Sequence, residues 1–367
     1  VAGATRGGDG MSATGVRWVG RAATLAFCVL LVALPWQLSL PDQSLYAQMG
    51  QYAIVAVGLS LLMGFAGQVS FGQGAFYMFG AYVAGVIAMR YHWPTLATLA
   101  LAPFATAAVA WAIGLPLLRL RGHYLAFATL AVHLIFLSLV FTWEGVTGGE
   151  IGLIGIPPLE VGNSHPAGAT YAAIVWGLAV VVALASLALV GSRAGRALRA
   201  IAASERDAAA AGIAVEAYKL RLFVLSAGYA GLAGGLYTYQ LHYLSPDAFP
   251  IMLSVQFVVM IAIGGMGSVY GAVFGAIAIT LLRHELSILG TRSGMPLQAP
   301  KVLAIGVFGL ILTVVILFFQ RGLLPALGDA ARRWRPASKP VPGEAERAAE
   351  LDSLRDPTDS ATREDGG

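Results

Sequence analysis

The chain alternates long apolar runs with short polar punctuation. Ten runs can be marked, at about residues 22–40, 45–63, 75–89, 95–118, 124–142, 170–190, 220–241, 251–264, 267–282 and 302–319. Most approach the ~20 apolar residues that a helix needs to cross a bilayer. The pattern predicts an all-α, polytopic membrane helix bundle of about ten transmembrane segments. The eighth run is short, and the junction of the second and third is dense in glycine. Short or glycine-interrupted runs are expected where a membrane helix breaks around a pathway.

Two stretches carry these breaks. GLSLLMGFAGQVSFGQGAFYMFGAY spans Gly58 to Tyr82, and IAIGGMGSVYGAVFGAI spans Ile261 to Ile277. In each, an apolar helix runs into clustered Gly with Ser or Gln and then resumes. Gly64-x-x-Gly67 in the first parallels Gly264-x-x-Gly267 in the second, which suggests an internal duplication. Gly267, Gly271 and Gly275 recur at every fourth position. That spacing puts them on one helix face, where another backbone can approach closely, so helix packing is the plain reading. Gln68, Ser70, Gln73 and Ser268 add polar groups that need partners or water inside a membrane and tend to face the bundle interior. His133, in the middle of the fifth run, reads as a hydrogen-bonded packing residue.

Composition sharpens the class. Hydrophobic residues make up 57% of the chain and charged residues 11%, against about a quarter charged in soluble proteins. A soluble globular enzyme is excluded. The single cysteine, Cys28, lies in an apolar run and reads as a small buried hydrophobe. Of the 23 basic residues 20 are Arg, and eight of the 19 acids fall after Pro342. No basic–aromatic interleaving points to nucleic acid; the basic excess instead orients membrane loops. With the N-terminus in the cytoplasm, the inner loops and flanks before Pro340 carry sixteen basic residues, and the outer ones carry only Arg90, Arg283, Arg292 and Lys301. The expected layout is a cytoplasmic segment at 1–21, a transmembrane domain at 22–319, and a cytoplasmic, disordered tail at 320–367. Residues 1–16 do not resemble a cleaved signal, and Met11 is a candidate start.

One inner loop is longer than the rest, from Gly191 to Lys219, and its middle is rich in helix formers. Ser204 and Asp207 have capping-box spacing and Gly212 is a helix stop, so a short amphipathic helix is expected there. It fits either a helix held on the membrane surface by its Arg residues or a docking site for a cytoplasmic partner. Reaction chemistry is absent from the sequence. There is no G-x-x-x-x-G-K-[ST] for ATP and no G-x-S-x-G, and His284-Glu285 has no second His at metalloprotease spacing. No run carries a mid-span acid of the kind ion-coupled carriers use, which argues against a secondary transporter; that and a membrane-embedded enzyme, which the missing motifs disfavour, are the competing classes.

Three segments together resemble the branched-chain amino-acid type of ABC-transporter permease. They are GLSLLMGFAGQVSFGQGAFYMFGAYVAG; RGHYLAFATLAV followed by VTGGEIGLIGIP; and GRALRAIAASERDAAAAGIAVEAYKLRLFVLSAGYAGLAGGLYTYQLHYLSPDAF running into IAIGGMGSVYGAVFGA. They cover Val57 to Ala276 in the family's order, and the chain length resembles the longer of the two permease subunits. The resemblance implies a high-affinity importer of the bacterial inner membrane. Its partners would be a second permease, two cytoplasmic ATPases that bind ATP in place of this chain, and a periplasmic solute-binding protein. The solute would be a branched-chain or related amino acid, or, in the same family, urea or a short amide. It further implies that Gly67, Gln68, Ser70, Gly72, Gln73, Gly264, Gly265, Gly267 and Ser268 line or gate the path. Arg196, Arg199, Glu205, Arg206, Asp207 and Gly212 fall in the segment that matches the ATPase-docking loop.

Overall fold

The computed structural model describes residues 24, 26–120, 122–162, 164–290, 306, 309 and 310, all within one unit, Val1–Pro325. After a short apolar helix at Ala26–Gln37 come α1 (Leu40–Ala66), α2 (Gln73–Tyr91), α3 (Thr95–Leu117), α4 (His123–Thr142) and α5 (Gly168–Gly191). Two short helices follow, α6 (Arg193–Ala203) and α7 (Glu205–Ala210), then α8 (Val215–Leu241), α9 (Ile251–Gly264) and α10 (Val269–Gly290). The strands β1 (Leu153–Ile154) and β2 (Tyr243–Leu244) pair antiparallel, Leu153 opposite Leu244. They clip the long α4–α5 connection to the end of α8.

This is the all-α polytopic bundle that the hydrophobic runs predict. Among the described residues seven helices are long and apolar enough to cross a membrane. The run at 302–319, apart from 306, 309 and 310, lies outside the described residues, as do 1–21 and the tail. α1 starts earlier than its run, because Pro41 and Asp42 occupy its first turn. There a missing N–H costs nothing and a carboxylate meets the positive end of the helix dipole. α10 continues past its run to Gly290. Arg283 therefore sits inside a helix, not on an outer loop where the charge count places it.

Burial separates centre from rim. The most apolar stretch of α1 is 89% buried and that of α8 67%, against 22% for α4 and 28% for α3 and α5. The outer helices instead expose Phe104, Trp111 and Phe127, as helices facing lipid do. α2 is not among the seven: it carries Gln73 and Arg90, and it packs between α3 and α8 rather than in lipid. Backbones touch at this centre. A Cβ on Gly80 would lie 2.3 Å from the Gly231 carbonyl oxygen, and one on Gly234 would lie 1.9 Å from that of Tyr77. Apolar helices gain nothing from leaving lipid for one another, so such close contacts must supply the packing energy.

Candidate functional site

α1 stops because Gly67 takes the left-handed conformation (φ 62°). α2 does not begin until Gln73, so the intervening segment runs without helical bonds, with Gln68, Ser70 and Gly72 buried. Non-helical backbone at this depth is tolerated only where other groups satisfy it. Here neighbouring hydroxyls do so. Phe71 N–H donates to Thr129 Oγ1 of α4 (3.0 Å), Gly72 N–H to Ser70 Oγ (3.3 Å) and Gly74 N–H to Ser254 Oγ of α9 (3.0 Å).

Ser254 is a junction. His133 Nδ1 lies 2.9 Å from its Oγ, and His133 Nε2 lies 3.1 Å from the Phe249 carbonyl oxygen. The network closes if Nε2–H donates to Phe249 and the Ser254 hydroxyl donates to Nδ1 while accepting from Gly74. His133 is fully buried and so serves as a packing residue that fixes the start of α9 against α2 and α4. Ser254→Ala is expected to leave Gly74 N–H and His133 Nδ1 unpaired. Each orphaned group costs about 1–3 kcal/mol, enough for a marked drop in the melting temperature of the purified protein. Retention of the wild-type value would show that water replaces the hydroxyl.

Gln73 Nε2 donates to Ser226 Oγ of α8 at 2.9 Å. The Oε1 atoms of Gln68 and Gln73 are buried without a partner among the described residues. At the second break Gly265 and Gly267 take φ 108° and 80°. Gly267 N–H donates to Ser60 Oγ (3.1 Å), whose hydroxyl reaches the Ser268 carbonyl (3.4 Å). Ser268 Oγ accepts from Gly271 N–H at 3.1 Å. A Cβ on Gly64 would lie 2.2 Å from Gly267 Cα, so the two similar glycine motifs meet in space. Along α9 and α10, a Cβ on Gly271 would lie 2.1 Å from the Gly264 oxygen, and one on Gly275 1.9 Å from that of Met260.

From the first break an open cleft of about 1240 Å³ extends to the α6–α7 hairpin. It exceeds the roughly 300–1,000 Å³ of a fitted small-molecule pocket and has the size of a vestibule. Gln68 and Phe71 border it at the break, Leu125 and Phe127 along α4, Arg206 on α7 and Lys219 on the first turns of α8. The hairpin is two helices rather than the single one expected, because Ser204 ends α6 and caps α7. Its Oγ accepts from Asp207 N–H at 3.3 Å, as Ser192 Oγ accepts from Gly195 N–H at 3.4 Å for α6. Gly212 (φ 81°) then turns the chain, with Ile213 N–H bonded to the Ala208 carbonyl at 3.0 Å. Leu198, Ile201 and Ala208 are buried, while Arg196, Arg206 and Asp207 are exposed. Arg199 donates to the Val190 carbonyl at 2.8 Å, and Glu205 pairs with Lys219 of α8 at 2.5 Å.

Sequence reasoning missed the partners of the breaks: Ser60, Thr129, Ser226 and Ser254. Each is a hydroxyl between apolar neighbours in the chain, and within a helix such a hydroxyl can bond its own backbone. The same runs hold other hydroxyls, such as Ser138 and Thr238, so nothing local singles these four out.

A helix broken inside a polytopic bundle, opening on a cleft that ends beneath a capped surface hairpin, is the architecture of a membrane transport protein. Comparison with known sequences agrees. The family model described as "Branched-chain amino acid transport system / permease component" matches residues 43–319, and the chain belongs to that family. The high-affinity branched-chain amino acid transport system permease protein LivM of Salmonella typhimurium is 27% identical over 325 residues, 82% of this chain and 74% of the relative. LivM of Escherichia coli gives the same identity and coverage. LivH of Escherichia coli, a permease of the same description, is 27% identical over 247 residues, 62% of this chain and 79% of the relative. No solved structure matches the chain.

Proposed function

We propose that the chain is one permease subunit of an ATP-driven, binding-protein-dependent importer of branched-chain or related amino acids, in the bacterial inner membrane with both termini cytoplasmic. The observation that supports this best, on a chain of this family, is the α6–α7 hairpin. It is packed on the bundle by an apolar face, presents charges outward, and borders the cleft that leads to the break. Likeness to both LivM and LivH favours a paired permease. With no nucleotide motif in the sequence, ATP acts from partner ATPases that dock on the hairpin. A partner that holds the hairpin differently with and without nucleotide would shift the bundle between states open to either side. The residues of the two breaks line or gate the path between them.

Uptake of labelled leucine into proteoliposomes holding this chain, a second permease and two ATPases is expected to require ATP and a solute-binding protein. Uptake of urea in its place would assign the short-amide reading within the same family. Uptake driven by an ion gradient without ATP would show a secondary carrier.

A further inference from the structure

A charge lies within the apolar helix α10. Arg283 is exposed on the surface of the chain, yet its guanidinium does not turn toward the helix end, as a snorkelling side chain would. It reaches across to α9, where Nη1 donates to Gln256 Oε1 at 2.9 Å. Gln256 is 4% exposed. A guanidinium only donates, so the amide oxygen must face it, and this leaves Gln256 Nε2 buried with no partner among the described residues. Tyr52 of α1 lies beside Arg283. Its hydroxyl accepts from Gln48 Nε2 at 3.0 Å, which leaves its own hydrogen to donate.

Among the described residues Arg283 thus has only neutral acceptors within reach, the Gln256 amide oxygen and the Tyr52 hydroxyl, and neither balances its charge. Among the described residues the one ion pair is Glu205–Lys219, so Arg283 has no carboxylate partner there. An unpaired intramembrane charge is costly and marks a solute path or a binding site by default. A guanidinium fork with an added amide and phenol suits the two oxygens of a carboxylate. The cluster stands on α1, α9 and α10, the helices that also meet at Gly64, Gly264 and Gly267. By helical rise Arg283 lies about 18 Å along α10 from Gly271.

We propose that Arg283, Gln256 and Tyr52 form the subsite that takes the carboxylate of the solute. This rests on the reading of the chain as an amino-acid permease. A lipid phosphate is the other source of a matching anion.

The test is leucine uptake by the complete assembly in proteoliposomes, with Arg283→Gln, Arg283→Lys and Tyr52→Phe beside the wild type. Arg283→Gln is expected to lower uptake by about tenfold or more. Arg283→Lys should keep part of it, since the charge stays and the fork is lost. Tyr52→Phe, which removes only a hydroxyl, should cost several-fold. Subunit co-purification and ATP hydrolysis without solute should stay at wild-type levels in all three. Uptake by Arg283→Gln within about twofold of wild type, less than a single hydrogen bond to a charged group contributes, overturns the subsite. So does a loss of co-purification or basal hydrolysis that accounts for the fall in uptake, which would make Arg283 a structural residue. A defect repaired by added anionic lipid assigns the anion to a headgroup and also overturns it. A wild-type assembly that imports urea and no leucine removes the amino-acid reading, and the carboxylate subsite with it.

Discussion

Gly271→Leu is expected to prevent α9 and α10 from packing and to remove the folded protein from the membrane. Even a Cβ at that position would lie 2.1 Å from the Gly264 oxygen. The atom it meets is backbone and cannot rotate away. Overpacking a well-fitted site costs about 1–3 kcal/mol, and a leucine pressed onto main chain belongs at or beyond the upper end. Against a total stability of roughly 5–15 kcal/mol, that is enough to lose the native state of a protein whose Gly64–Gly267 contact depends on the same junction. Gly177→Leu is the control, because among the described residues nothing lies within 4 Å of its Cβ position. Gly177→Leu is expected to accumulate and purify normally, and Gly271→Leu is not. Equal yields and melting temperatures would place Gly271 on an unpacked face.

The second large effect is expected at the hairpin. Arg206 and Asp207 are exposed and make no side-chain ion pair among the described residues, so reversing both charges alters what a partner meets and leaves the bundle intact. Glu205 is a poorer probe, because its reversal also breaks the Lys219 pair. Gly212→Pro attacks the turn itself, since proline fixes φ near −65° and the turn needs +81°. Uptake should fall more than about tenfold in both variants, the equivalent of about 1.4 kcal/mol of lost association. ATPase co-purification should fall with it, while membrane insertion persists. A helix lying on the membrane surface for anchoring alone predicts intact co-purification and coupling.

How far these elements could be read in advance depends on what set them. The run at 251–264 coincides with α9, because Pro250 and Gly265 punctuate both ends. α2 was legible as an apolar run, but its place at the packed centre was not, since burial against α3 and α8 is a property of neighbours. The break between Gly67 and Gln73 showed itself through clustered glycine beside amide and hydroxyl side chains. The groups that satisfy it, Thr129 and Ser254, come from helices far along the chain, and no local pattern pairs them. The hairpin was expected as one helix because alanine-rich sequence on both sides of Ser204 favours helix. Only the capping bonds of Ser204 show that the chain restarts there. Arg283 was read as a loop residue because hydropathy falls at the Arg-His-Glu triplet, while helical bonding carries α10 through it.

Whether ATPases work this permease through α6–α7 can be read by following ATP hydrolysis and leucine uptake together in one proteoliposome preparation. Leucine-loaded binding protein is expected to raise hydrolysis and uptake in parallel, and Gly212→Pro to abolish both responses. Leucine uptake that proceeds without ATP, or stimulated hydrolysis that survives Gly212→Pro unchanged, would contradict this coupling.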